Sequence, residues 1–445
     1  MNKPETLLEA LDCSVERTLA LLNSLETHQL KVPYHPGINP PVWEVGHATF
    51  FFERFLLQHL DKAKSYNPAL DDIWDSFELA HEDRWQEGLF PDKTATLDYL
   101  QHIINRVRHR ITEKELTDSD LYLYKYAVFH LNMHIESMVW CRQTLGYPKP
   151  PGAESAGWPV KNAANPASPD PSQVDPGAES HGDVHVPAGE FQIGINERPD
   201  HFAGEDFCFD NEKPGFTKNL AGFRISPTLV SNREYLQFVE SGGYENDAFW
   251  SMAGLKWRRQ NKASHPVYWK KVNGRWFEQF FDELLPLEPD FPVKHVSFWE
   301  AQAYCRFAGR RLPTEFEWEA AALGNKAGGP FNKFPWGNDM QAQRVDMDGK
   351  HLARLPVNAF PEGDSPFGCR QMIGTVWEWT DSLFFPYDGF KTDMYPFMST
   401  LQFGDHRVVR GGSCATSSIL IRGTYRQAYT PDRNDVFVGF RTCAP

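Results

Sequence analysis

The sequence predicts a two-part chain, an N-terminal four-helix bundle followed by an irregular α+β domain. Three observations carry that expectation. Four long stretches of helical apolar rhythm fill residues 1–147. The composition then turns abruptly to Pro, Ala, Ser, Gly and Asp over 148–183. From 184 to 445 short strand-like runs and turns dominate. The 445 residues are enough for separate cores in both parts.

The bundle elements follow in order. Leu8, Leu11, Leu19 and Leu22 recur at helical spacing, which predicts a first helix over Leu7–Leu30. The Pro-rich connection Pro33–Pro41 leads into a second helix at Trp43–Phe55, because proline is tolerated only in the opening turn. The roughly 30-residue connection from Lys64 to Asp92 is long for a compact domain. Its aromatics, Trp74, Phe77 and Trp85, argue that it is ordered. A third helix is expected over Thr94–Glu113 and a fourth over Asp118–Gly146, where Gly146 and Pro148 supply a stop.

The fourth helix carries the chemistry. His130 and His134 are four residues apart, so the second ring lies only about 40° around the helix from the first and both can point at one ion. That spacing alone also suits a solvated or hydrogen-bonded pair. Glu136 falls about 240° from His130, on the far face, and is expected to tie the helix to a neighbour. Tyr124, Val128, Leu131, Ile135, Met138 and Arg142 line one face, with the two histidines at its edge, toward the bundle seam. His47 opens another helix that can face the same seam. Three neutral nitrogen donors would leave positions open on a divalent metal, as a catalytic site requires.

Composition excludes several classes. A net charge of -14 offers no basic stripe for nucleic acid. No apolar window approaches a membrane span, and the N-terminus lacks a signal-type apolar core. Seven scattered cysteines without a CxxC pair fit neither a disulfide framework nor a zinc ribbon, so a reducing, cytoplasmic setting is expected. Fourteen tryptophans and 33 phenylalanines imply dense irregular packing in part of the chain.

In the C-terminal part, Val184–Gly194 alternates as a strand, turns at Pro187-Ala188-Gly189 and resumes. Helices are expected at Asn232–Ser241, at Ser297–Phe307 and after Pro313. The local signatures are dense: Gly309-Arg310-Arg311-Leu312-Pro313-Thr314-Glu315-Phe316-Glu317-Trp318-Glu319, Pro335-Trp336-Gly337-Asn338, Gly374-Thr375-Val376-Trp377-Glu378-Trp379-Thr380, Val409-Arg410-Gly411-Gly412-Ser413 and Gly439-Phe440-Arg441. Together they resemble the formylglycine-generating-enzyme fold, a C-type-lectin-like α+β domain, over 184–445. Trp318, Trp377 and Trp379 are expected in the core. Residues 1–147 resemble the DinB-type metal-binding bundle at His47 and at His130-x3-His134-x-Glu136, with 148–183 as linker.

A DinB-like bundle joined to such a domain is similar to the ergothioneine-type sulfoxide synthases, the EgtB-like non-haem iron enzymes. The resemblance implies Fe(II) on His47, His130 and His134, with dioxygen as co-substrate. The reaction it implies joins an organic thiol to the imidazole carbon of hercynine, the trimethylated betaine of histidine. It also implies an active-site tyrosine as proton donor. Tyr395, in the loop Tyr387–Tyr395, leads as its equivalent, with Tyr387 and Tyr429 behind it. Asp75, Arg84, Met133, Arg426, Gln427 and Tyr429 match substrate-lining positions.

Two departures bear on the donor. Met133 stands where the sulfur enzymes commonly have a glutamine, and Glu87 where a second arginine of the thiol pocket is expected. These changes look most like the selenoneine synthase branch (SenA), whose donor is a selenosugar. Cysteine or γ-glutamylcysteine is the alternative donor. Two other classes compete with this reading. A formylglycine-generating oxidase needs a close cysteine pair, but Cys414 has no partner over Ala415–Leu420. A lectin-like binding module with a structural metal bundle needs a fourth ligand to close the site.

Overall fold

A computed structural model describes residues 4–153, 182–195, 207–393, 395 and 398–445. The expected linker 148–183 lies, from 154 to 181, outside the described residues.

The N-terminal part is built on four helices: α1 (Pro4–Asn23), α2 (Pro41–Phe52), α3 (Lys93–Glu113) and α4 (Asp118–Leu145). The first is shorter than its apolar rhythm predicts. The Leu21 carbonyl accepts from Ser24 Oγ and from Arg142, so Leu25 N turns to Leu22 O and the helix stops. Thr27–Leu30 then form a separate 3₁₀ turn. Pro41 occupies the first turn of α2, where its missing N–H costs nothing. Beyond Phe52 the helix widens into a π-helical turn, Glu53–Gln58, and ends at Asp61. Asp92 caps α3, and a Thr117/Asp120 capping box opens α4. Gly146 closes α4 in a left-handed conformation (φ 64°) that favours glycine. The long connection after α2 is ordered into short turns at Pro68–Leu70, Asp71–Trp74 and His81–Trp85, with Trp74 buried and stacked on Phe90.

α4 is buried on almost every side, because the bundle packs on one face and the C-terminal domain on another. Asn132 donates to Ser14 of α1, at 2.8 Å. Gln143 bonds the backbone at Gln279 and Phe281 in the C-terminal domain, at 2.9 and 2.8 Å. Glu136 confirms its place on the far face. Its Oε1 accepts from Trp377 Nε1 (2.8 Å) and Ser413 Oγ (2.7 Å), and its Oε2 from Thr416 Oγ1 (2.8 Å). Burial pushes this carboxyl above the ordinary glutamate range despite those three donors.

The C-terminal domain has little regular structure. Strands β1 (Val184–Val186) and β4 (Phe223–Ile225) pair, as do β2 (Gly189–Ile193) and β3 (Phe216–Leu220), so the two halves of the first predicted strand enter different ladders. β5 (Trp269–Val272), β6 (Arg275–Phe280) and β7 (Glu283–Pro286) form an antiparallel meander. β8 (Trp377–Leu383), β9 (Arg407–Arg410), β10 (Arg426–Tyr429) and β11 (Val438–Gly439) form a sheet in the order β10-β9-β8-β11, with only β8 and β11 parallel. Helices α5 (Asn232–Glu240), α7 (Phe298–Phe307) and α8 (Glu315–Leu323) match the expected positions. Each is opened by a capping box: Ser231/Glu234, Ser297/Glu300 and Thr314/Glu317. The polar α6 (Met252–Asn261), capped by Ser251, carries no strong apolar rhythm and was not expected.

Several charged residues of this domain's sequence signatures prove to be halves of buried ion pairs. Arg410 meets Glu319 at 2.5 Å, Arg426 meets Glu315 at 2.8 Å, and Arg441 meets Glu378 at 2.6 Å. A buried ion pair adds modest net stability, but losing one partner strands a charge, so each pair strongly disfavours other packings. Trp318, Trp377 and Trp379 are fully buried, as expected. Among the described residues no helix is long and apolar enough to cross a membrane.

Glu136→Ala leaves one indole N–H and two hydroxyls without their buried acceptor and is expected to cost about 3 kcal/mol in urea unfolding. Glu136→Gln, whose one oxygen can keep the Trp377 and Ser413 bonds, costs less. The folded carboxyl binds its proton more tightly than the unfolded one. Its contribution therefore falls as pH rises from the ordinary glutamate range toward the raised folded value, a slope that Glu136→Gln removes.

Candidate metal centre

α2 and α4 bring His47, His130 and His134 together in the bundle seam. One nitrogen from each ring lies within 4.8 Å of the others, and among the described residues no fourth ligand side chain joins the group. Nε2 of His130 and Nε2 of His134 are 3.2 Å apart.

Two of the rings have their tautomers set from outside. His47 Nδ1 donates to the Trp74 carbonyl at 2.6 Å, and His134 Nδ1 donates to Glu44 Oε2. Each ring therefore carries its proton away from the triad and turns a bare Nε2 lone pair inward. Burial holds His47 down to about 3, with His134 adding to the effect, and holds His130 well below the ordinary range. These two imidazoles are neutral at neutral pH and ready to coordinate. Three imidazole nitrogens converging at this distance, two of them with the lone pair turned inward, form a donor set that fits a divalent metal. With three nitrogens and no fourth side chain, the site is open, as in catalytic centres.

The groups that hold the ligand rings are close sequence neighbours of the histidines. Glu44 lies three residues before His47, on the same side of α2. Burial pushes its carboxyl up, but His134, Ser137 and Asn39 together bring it net below the ordinary range. Ser137 Oγ donates to Glu44 Oε1 at 2.5 Å and Asn39 Nδ2 donates to the same oxygen at 3.0 Å. Trp43 stacks on His47 with centroids 4.5 Å apart and planes 8° apart, and Phe51 stacks on His130 at 4.1 Å. Gly46 lets Trp74 in: a Cβ there would meet the Trp74 ring at 2.3 Å.

The C-terminal domain reaches this site through Tyr395. Its ring lies 6.4 Å from His130, 5.3 Å from Phe51 and 5.2 Å from Phe55. Burial raises its phenol above the ordinary value, against a lowering hydrogen bond with Ser76, so it carries its proton at neutral pH. Phe77 lies 6.2 Å from the same ring.

Comparison with known proteins follows this architecture. Residues 10–138 match the DinB superfamily, and residues 169–444 match the sulfatase-modifying factor enzyme 1-like domain. Over 446 residues the chain is 32% identical to hercynine oxygenase of Mycolicibacterium smegmatis, covering 98% of each chain. It is likewise 32% identical to hercynine oxygenase of Mycobacterium tuberculosis, covering 99% of each. The chain belongs to the EgtB-like hercynine oxygenase family. The chain is also 32% identical to the formylglycine-generating enzyme of Streptomyces coelicolor, over 60% of this chain and 89% of that one. Here, however, Cys414 is fully buried, and it and the other six cysteines are unpaired.

The remaining family-matched residues separate into two sets. Asp75 sits beside Tyr395, with its carboxylate accepting from Phe77 N at 2.9 Å. Met133 is half-buried on α4, next to His134. Tyr429 faces the bundle, its ring edge-on to Trp140 of α4 at 6.4 Å. Half-buried Gln427 precedes it by two residues on β10, with its side-chain carbonyl accepting from Ala428 N at 3.0 Å. Arg426 and Tyr387 require correction. The alternation of β10 turns Arg426 inward, where it is fully buried against Glu315, bonds the Asn211 and Phe385 carbonyls and lies over the Tyr387 ring at 4.1 Å. Tyr387 is buried in that same core, against Phe216. Neither side chain is at the triad.

Sequence reasoning missed Glu44, Asn39, Trp43, Gly46 and Ser137. An acid three residues before one candidate ligand and a serine three after another were available signals.

Glu44→Gln is expected to weaken metal binding by about 10- to 100-fold, measured by anaerobic Co(II) titration, because His134 loses its charged acceptor. Gly46→Ala is expected to lower stability by about 1–3 kcal/mol through overpacking against Trp74, read from the denaturant midpoint.

Proposed function

We propose that the chain is a non-haem Fe(II), dioxygen-dependent enzyme that joins the selenium of a selenosugar to the imidazole carbon of hercynine. The observation that carries an oxidative, metal-dependent reading is the three-histidine site with a protonated tyrosine from the second domain beside it. Bound Fe(II) supplies a meeting place for both substrates and dioxygen and acidifies the chalcogen hydride. The balance closes with dioxygen as sole oxidant: the imidazole C–H and the Se–H are lost, the C–Se bond forms, one oxygen atom goes to selenium, and the other leaves as water.

The chain's own residues fill the remaining roles. His47 and His134 keep their protons on the outward nitrogens. Phe51 and Phe55 pack edge-on against Tyr395, with exposed Phe77 at its rim, and hold the ring in place. Tyr395 then delivers a proton from its phenol oxygen as oxygen is reduced.

Donor choice rests on the loop between α2 and α3. Glu87 is exposed and paired only at the surface with Lys31, at 3.3 Å. Arg84 is buried, with its guanidinium engaged by Asn39 and Trp43. That arrangement offers no pair of cations for two carboxylates and suits a neutral polyol. The second reading, a sulfoxide synthase using cysteine or γ-glutamylcysteine, is favoured by the near full-length likeness to proteins named hercynine oxygenase.

Anaerobic titration should load one Fe(II) per chain, and His134→Ala should abolish loading; undiminished uptake in that variant would sink the assignment. The iron-loaded protein should then turn over hercynine and dioxygen with a selenosugar, as read by mass spectrometry. Product with thiols alone would transfer the reading to sulfur. Tyr395→Phe should lower kcat by about 10²-fold with iron binding unchanged.

A further inference from the structure

Arg84 lies outside the triad, in the short 3₁₀ turn His81–Trp85, yet it is only 8% exposed. Its side chain meets two arms that each end on a ligand histidine. Along the first, the guanidinium carbon lies 3.7 Å from the centroid of the Trp43 ring, and that ring stacks on His47. Trp43 is fixed in turn by its Nε1 donating to the Ile73 carbonyl at 3.1 Å, one residue before the carbonyl that holds His47 Nδ1. Along the second, Arg84 Nη1 donates to Asn39 Oδ1 at 2.6 Å, Asn39 Nδ2 donates to Glu44 Oε1 at 3.0 Å, and Glu44 Oε2 accepts from His134 Nδ1.

The second arm has a definite sense. An amide presents an acceptor on one side and a donor on the other. Arg84 has only N–H groups, so it obliges Asn39 to turn its oxygen toward the guanidinium and its NH2 toward Glu44. Without that anchor the amide is held at one end only and can swing away from the carboxylate, which loosens the acceptor of His134. The first arm keeps the His47 ring plane through aromatic and cation–π stacking.

We propose that Arg84 is a positioning residue for the metal centre, holding His47 through Trp43 and His134 through Asn39 and Glu44. This rests on the metal-centre reading above.

The test uses the full-length apo protein and Co(II) alone as probe, read by its visible d–d bands under anaerobic titration. Arg84→Met and Asn39→Ala should each weaken Co(II) binding by about tenfold, the lower end of outer-sphere effects. The double variant should be no weaker than Arg84→Met alone, because either change releases the same amide. Arg84→Lys keeps the charge but not the planar fork and should recover only part of the affinity, with a band position between those of the wild type and Arg84→Met. Circular dichroism melts check that the variants are folded; should Arg84→Met fail to fold, Asn39→Ala and Arg84→Lys carry the same comparison. Wild-type Co(II) affinity within twofold in Arg84→Met, with a raised KM for a donor that bears carboxylates, would overturn the proposal in favour of a clamp. Strictly additive losses in the double variant would also overturn it. If the wild type shows no Co(II) site that His134→Ala removes, the metal-centre reading itself has failed, a result distinct from a wild-type site indifferent to Arg84.

Discussion

The placement of the metal site depends on α4 being held from both sides. His130 and His134 project into the bundle seam, while Glu136, two residues on, enters the other domain and collects three hydrogen bonds from Trp377, Ser413 and Thr416. Desolvating a carboxylate is costly, and each of those donors would be costly to bury alone, so the two halves stabilise one another only when docked in this register. A slip of one residue along α4 would turn Glu136 about 100° away from its donors and take both histidines off the seam together. The carboxylate therefore fixes which rings face the metal as well as where the domains meet. Gln143, seven residues further along the same helix, repeats the arrangement with the backbone at Gln279 and Phe281 and adds a second point of registration.

Helix α2 sets the pre-organisation of the site. Ligand histidines that could rotate or change tautomer would lose ring-ordering entropy on metal binding. Here that ordering is built into the fold. The Trp74 carbonyl reaches His47 because Gly46 lets the indole approach, and Glu44 reaches His134 because α2 presents acid and ligand three residues apart. The three rings converge with His130 Nε2 and His134 Nε2 3.2 Å apart, and burial disfavours protonating His47 and His130, so these two rings stay neutral nitrogen donors.

Much of this was legible in the sequence, and the unread part has physical causes. His47, His130 and His134 followed from helical spacing and a shared seam, and the far-face position of Glu136 followed from the angle alone. The length of α1 did not, because it is set by Arg142 capturing the Leu21 carbonyl from more than a hundred residues away. The polar helix α6 was missed because its burial is partial and its rhythm weak. Arg426 was misplaced because adjacent strand residues face opposite ways: a motif match over Arg426–Tyr429 cannot say which of them turns toward the ligand and which toward Glu315. Arg84 illustrates the same limit in a loop, where a guanidinium matched to a substrate position can equally satisfy an asparagine.

The position of Tyr395 returns to α4. Tyr122 lies on that helix about two turns before His130, and its hydroxyl donates to Asp393, two residues before Tyr395; Lys213 pairs with the same carboxylate at 2.9 Å. On the other side, Ser399 donates to Asp210 at 2.6 Å and accepts from Asn211 at 3.1 Å. The tyrosine-bearing segment is therefore pinned at both flanks, and one of its pins sits on the element that supplies two metal ligands. Movement of the C-terminal domain relative to α4 would have to break the Tyr122–Asp393 and Glu136 contacts together before the phenol could leave His130. A side chain carried on a loop is ordinarily the least precisely placed part of a site. Referring that loop to the ligand helix removes most of this freedom, so a tyrosine from one domain is held in fixed register with a histidine triad in the other.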